Sequence, residues 1–232
     1  MNNTITIHTQ DQYPITATLF EPENANGKLL LVNSATGVKQ QTYYSFAQHF
    51  ADLGFVVITY DYRGVALSKP DQLKGFKASM RTWGNTDYKA VTDFIEEHYP
   101  HHRKFLIGHS VGALILGMNK GSEIFEKFCF VATQNTYFGH LSPRIKMLGL
   151  LGFGLYQPVL TRVKGYFKTY FVNLGESLPK GVSDDWRTLI MNRKSVNRLL
   201  EKTENFSKNL HQEVLYLNMQ DDDWITETGM KL

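Results

Sequence analysis

Phe105-Leu-Ile-Gly-His-Ser-Val-Gly-Ala-Leu-Ile115 is the stretch on which the fold turns. Phe105 to Ile107 is a short apolar run of strand type, and from Val111 onward the chain is apolar and small-residued, as a buried helix is. Between them stands Gly108-His-Ser-Val-Gly112, a G-x-S-x-G pattern. A serine so placed sits on a strained strand-to-helix turn, and the flanking glycines let helix and strand approach closely. The turn lifts the Ser110 hydroxyl above the sheet, and the start of the following helix favours developing negative charge. The pattern alone is common by chance; a strand before it, a helix after it and several strand–helix units upstream make it a nucleophile turn.

Upstream, Lys28-Leu-Leu-Leu-Val-Asn33 and Phe55-Val-Val-Ile-Thr-Tyr60 are continuous apolar runs, as in strands buried on both faces of a parallel sheet. Between them Thr42 to Leu53 reads as a helix, with Tyr43, Phe46, Ala47, Phe50 and Leu53 on one face and Gly54 as its stop. Trp83 to Tyr99 is a second helix, ended by Pro100. Thr4 to Thr9 and Ile15 to Phe20 alternate with period two around a turn-like Gln10-Asp-Gln-Tyr-Pro14, which predicts a hairpin. Downstream, Val111 to Lys120 is helical and Lys127 to Ala132 is a strand. From Thr133 to about Gln212 no clear core strand follows, too long a stretch for a plain connection. Its aromatics (Tyr137, Phe138, Phe153, Tyr156, Tyr166, Phe167 and Trp186 among them) predict an inserted helical cap. Glu213-Val-Leu-Tyr-Leu-Asn-Met219 then resumes the sheet. The expectation is an α/β fold with a mostly parallel sheet: a first core part over 1–133, the cap over 134–212, and the core resumed over 213–232.

The 232 residues include 25 basic and 22 acidic side chains, a net charge of +3 with no basic arm. That argues against a nucleic-acid partner. Apolar residues make up 42% and charged ones 20%, enough for one large core and unlike a disordered chain. Cys129 is the single cysteine, so no internal disulfide or multi-cysteine metal site forms, and its apolar surroundings read as core. The N-terminus lacks a basic flank followed by an apolar stretch, and the most apolar run, Met147 to Val163, is short of the roughly 20 residues that span a bilayer. A cytoplasmic protein is expected. Leu148 to Leu160, flanked by Lys146, Arg162, Lys164 and Lys168, could serve a membrane or subunit surface; covering a hydrophobic pocket is the preferred reading.

In its order of hairpin, strands, elbow, insertion and late acidic turn, nearly the whole chain resembles the α/β-hydrolase superfamily. In detail it is similar to a little-characterised bacterial group of predicted hydrolases, through Ala35-Thr-Gly-Val38, Asp61-Tyr-Arg-Gly64, Trp83-Gly84, Gly165-Tyr-Phe167 and Leu174-Gly-Glu176. The resemblance implies Ser110 as acyl-accepting nucleophile and the Val111 N–H as one oxyanion donor. Asn33-Ser-Ala-Thr-Gly37 resembles the loop of homoserine acetyltransferase-like members, which makes Ala35 the second donor, with Thr36 as the alternative one residue on. Asp222-Asp-Trp-Ile-Thr226 resembles the superfamily's D-x-x-x-P segment with threonine for proline, so Asp222 is the expected acid, with Asp221 next.

The superfamily's histidine follows the acid, after one more strand and helix. No histidine stands after Asp222. Of those earlier in the chain, His109 would point away from Ser110, His101, His102 and His211 precede strands and so lie at the far end of the sheet, His8 is in the hairpin and His49 on a covering helix. Only His140 falls near the active-site rim, as a weak candidate base. Three explanations stay open: a truncated hydrolase lacking the final strand and helix, which is preferred; a degenerate member; or a partner, such as a second copy, that covers the open sheet edge. The functional expectation is a serine hydrolase of esters, thioesters or similar acyl bonds on a small-molecule substrate, impaired by the missing base. An acyltransferase of the homoserine acetyltransferase type and a non-catalytic ligand-binding protein are the alternatives. No G-x-G-x-x-G after a strand, Walker-type loop or metal-spaced His/Asp cluster is present, so no cofactor or metal is expected.

Overall fold

The computed structural model describes residues 2–169, 175–219 and 226. Two antiparallel strands, β1 (Asn2–His8) and β2 (Pro14–Phe20), form the expected hairpin. β3 (Lys28–Asn33), β4 (Phe55–Tyr60), β5 (Arg103–His109), β6 (Lys127–Val131) and β9 (Glu213–Leu217) run parallel to one another, and the seven strands lie in the order β1-β2-β4-β3-β5-β6-β9. Side chains alternate across a strand, so β3 sends Leu29 and Leu31 into the main core and Leu30 and Val32 into a smaller one under helix α1 (Tyr44–Asp52). That double burial is why these strands read as unbroken apolar runs.

Several expectations need correction. The apolar face of α1 buries Ala47 and Ala51, whereas Phe46 and Leu53 lie exposed. The second helix begins earlier than Trp83. Ser79 caps it, its Oγ accepting the Thr82 N–H at 3.0 Å, and the segment runs through α2 (Met80–Thr82), a π-helical turn (Trp83–Asp87) and α3 (Tyr88–His98). The helix expected over Val111 to Lys120 is one turn, α4 (Val111–Leu114), followed by 3-10 turns at Leu116–Met118 and Lys120–Ile124. Glycines at 112, 117 and 121 weaken the helix, and Asn119 restarts the chain by accepting the Gly121 N–H at 2.6 Å. β9, expected to be core, is exposed at all five residues, because among the described residues only β6 pairs with it.

Between β6 and β9 lie α5 (Pro143–Gly149), a π-helical turn (Leu150–Tyr156), α6 (Gln157–Lys164), a two-stranded ribbon of β7 (Tyr166–Phe167) and β8 (Leu178–Pro179), α7 (Lys180–Met191) and α8 (Val196–Leu200). The ribbon was not anticipated; two residues per strand are too few for an alternating pattern. Phe153, Phe167, Val182, Trp186 and Leu189 of this segment join the core cluster of the sheet.

Candidate active site

Gly108 and Asn33 are register partners at the ends of β5 and β3, so the loops after these strands leave the sheet side by side. Ser110 stands at φ 52°, ψ −115°, a backbone region that costs a non-glycine residue about 1–3 kcal/mol. It is held there: its N–H donates to the Val131 carbonyl at 2.9 Å, and its carbonyl accepts the Ala113 N–H at 3.1 Å and the Thr133 hydroxyl at 3.5 Å. The glycines act as the pattern requires. A Cβ on Gly108 would lie 2.7 Å from the Ala113 Cα, and one on Gly112 would run into the Asn33 carbonyl oxygen. The following helix is a single turn, so its dipole contributes less than a long helix would.

The 33–37 loop is clamped by side chains that sequence reasoning did not single out. Asn33 Nδ2 donates to the Gly112 carbonyl at 3.0 Å and its Oδ1 accepts the buried Tyr60 hydroxyl at 2.9 Å. Tyr43 carries the larger surprise. Its hydroxyl accepts the Ala35 N–H at 3.0 Å and lies 2.8 Å from His109 Nδ1. Tyr43 thus links the Ala35 N–H to the His109 ring. Burial lowers the His109 pKa and pushes the Tyr43 phenol up to about 12, so both are neutral near pH 7. The N–H of Ala35, expected to serve the oxyanion, is thus committed elsewhere, whereas Thr36 and Val111 donate their N–H groups to no partner among the described residues. The Thr36 hydroxyl is buried and unpartnered among them too. Tyr43 could be read only as one aromatic on a helix face, so its hydroxyl gave no signal.

Asp61-Tyr-Arg-Gly64 and Trp83-Gly84 prove to be scaffold. Asp61, fully buried, accepts the Gln40 N–H at 2.8 Å, Gln40 Nε2 at 3.0 Å and the Leu67 N–H at 3.2 Å; burial raises its pKa. Arg63 bridges Asp87 (2.6 Å) and Asp11 (2.7 Å), and Tyr62 stacks on Trp83 at 4.7 Å. Glu176 ties the segment after β7 to the site, its N–H donating to the Gly37 carbonyl at 2.9 Å and its Oε2 accepting the Ala66 N–H at 3.1 Å.

Asp221, Asp222 and Asp223 lie outside the described residues. Thr226 is described, and both its N–H and its hydroxyl donate to the His140 carbonyl at 2.8 Å. His140 sits in the 3-10 turn Phe138–His140, edge-on to Tyr137, with Nδ1 buried and without a partner among the described residues. His98, which the sequence reading did not weigh, lies at the end of α3 against the Phe94 carbonyl (3.0 Å).

A cavity of about 1100 Å³ lies along the α1 face of the sheet, lined by Val32, Tyr43, Phe46, Phe105, Ile107, His109, Cys129 and Leu215 among others. It runs across the strands and is not a cleft at the serine turn.

A family model described as serine aminopeptidase, S33, matches residues 26–119, from the turn before β3 through the serine elbow. With this match, the strand order and the strained serine together, the fold is decided. The chain has the α/β-hydrolase fold. Solved structures with the same fold include a soluble variant of monoglyceride lipase from Saccharomyces cerevisiae, 15% identical, with a TM-score of 0.65 over 99% of this chain and 81% of that one. The esterase domain of a Rhodothermus marinus protein is 12% identical, with a TM-score of 0.56 over 100% of this chain and 80% of that one. A carboxyl esterase from Bacillus coagulans is 18% identical, with a TM-score of 0.53 over 75% of this chain; the chain spans only 55% of the esterase's length. At these identities the likeness is one of fold. Comparison with curated protein sequences gives no match.

Proposed function

We propose that this protein is an α/β hydrolase that acts on an ester, thioester or similar acyl bond of a small molecule through an acyl-enzyme on Ser110. The observation that carries the reading is the Ser110 backbone, held at positive φ between two strand ends in a motif whose glycines each fill a close contact. In the proposed step the Ser110 hydroxyl attacks the carbonyl carbon, the carbonyl oxygen takes up charge, and a base removes the hydroxyl proton. Val111 and Thr36 are the proposed oxyanion donors, Thr36 taking precedence over Ala35 because the Ala35 N–H is spent on Tyr43. Asp222 remains the proposed acid. No base is identified for Ser110 in this chain; His140 stays a weak candidate, supported by a buried Nδ1 without a partner among the described residues.

A serine nucleophile without an engaged base keeps only the residual catalysis of oxyanion stabilisation and binding, roughly 10³–10⁴-fold over water. Weak esterase activity is therefore expected. Labelling by a fluorophosphonate probe tests the reading: the chain labels slowly and Ser110→Ala not at all. A folded sample that never labels rejects an activated Ser110 and leaves the ligand-binding alternative. If Ser110 labels, a pH profile that is unchanged in His140→Gln rules His140 out as its base. Transfer of the acyl group to an acceptor other than water would use the same intermediate, and product analysis separates the two.

A further inference from the structure

α5, the π-helical turn and α6 form one unbroken helical rod from Pro143 to Lys164, since the residues at both junctions keep right-handed helical angles. Its length is about 30 Å at 1.5 Å per residue. A rod packed on a protein core normally turns its apolar stripe inward. This one does the reverse. Met147, Leu151, Leu155, Val159 and Val163 recur every four residues and are 55–72% exposed. The inward positions, every four residues from Gly149, hold Phe153 but also Gln157 and Thr161, both buried. Gln157 is satisfied internally, donating to Ser183 Oγ at 3.0 Å and Asp184 Oδ1 at 2.7 Å. The apolar stripe therefore does not cover a pocket, which was the preferred sequence reading; it faces outward.

The charge around the stripe has one sign. From Lys127 to Gly175 the sequence contains no Asp or Glu, while Arg144, Lys146, Arg162, Lys164 and Lys168 all fall on or beside the rod. None of the five enters an ion pair among the described residues. Among those residues no helix is long and apolar enough to cross a membrane, and the apolar run of this rod is interrupted by Gln157 and flanked by cations at both ends. An apolar face of this length rimmed by unpaired cations fits a helix lying in the plane of an anionic lipid surface, side chains in the acyl boundary and cations at the headgroups.

We propose that the Pro143–Lys164 rod docks this protein on anionic lipid bilayers. The inference stands apart from the catalytic reading and needs no turnover to test. The probe is vesicle flotation with the whole chain, comparing phosphatidylcholine vesicles with and without a third of phosphatidylglycerol. Binding is expected to the anionic vesicles and to fall with added salt. Leu151→Glu with Leu155→Glu should lower it at least tenfold, and Arg162→Ser with Lys164→Ser by about fivefold per charge removed. Circular dichroism and melting should match the parent, since all four side chains are exposed. Failure of the folded chain to float with anionic vesicles at low salt overturns the proposal. So does binding that the four substitutions leave unchanged. A lipid-independent dimer that Leu151→Glu dissociates, without flotation, overturns it in favour of a second copy on the same face.

Discussion

Tyr43 and Asp87 are single side chains whose removal should be felt beyond their own contacts. Tyr43→Phe leaves the Ala35 N–H and His109 Nδ1 without their shared hydroxyl, and an unsatisfied buried group costs about 1–3 kcal/mol; urea unfolding at pH 7 should show a loss in that range. Asp87 is fully buried, and burial raises its pKa to about 7 although Arg63 lies beside it. A carboxyl group with a raised folded pKa holds its proton in the fold while the unfolded chain loses it near pH 3.9. Its contribution is therefore fully present below about pH 4 and lost as the pH rises through 7. Asp87→Asn removes this titration, and its deficit against the parent should be larger at pH 5 than at pH 8, read by urea unfolding at the two pH values. A deficit that widens above pH 7 would mean that Arg63 outweighs burial. The strained turn at Ser110 was legible from its neighbours alone. The Tyr43 hydroxyl, the Asn33 clamp and the Glu176 tether were not, because each depends on which distant loop a polar atom meets.

The serine elbow shows how one element depends on what it must not carry. Gly112→Ala places a methyl group against the Asn33 carbonyl, where backbone has to move, and should lower stability by about 1–3 kcal/mol and slow probe labelling of Ser110. Gly154→Ala is the matched control: its Cβ would meet only the Met191 methyl at 3.9 Å, and removing a helical glycine should be neutral or stabilise by up to about 1 kcal/mol in thermal melts. Strands β3 and β4 were legible to the residue because burial on both faces leaves one kind of pattern. Helix interiors were less so. The turn after Ser110 is one helical turn where apolar periodicity suggested three, since its glycines serve close approach to Asn33 and Ser207 at the expense of helix propensity. The rod over Pro143–Lys164 was visible as apolar and helical, but which way its stripe faced depended on tertiary packing.

At the scale of the molecule the sheet is unevenly covered. The main core fills one face, while on the other α1 leaves Phe105, Ile107, Cys129 and Leu215 along an open groove, and β9 lies exposed. Among the described residues β9 is an edge strand, and an exposed apolar edge invites pairing with another chain. Sedimentation velocity should therefore show concentration-dependent association, reduced by Leu215→Lys and Leu217→Lys, which charge the edge without touching the elbow. The same groove holds the chain's single thiol. Cys129 is half-buried there and burial raises its pKa, so little of it is thiolate at neutral pH. Whatever settles in the groove shields that sulfur. The rate at which Cys129 is modified by a disulfide reagent at pH 8 is therefore a clock for the fraction of time the groove stands open.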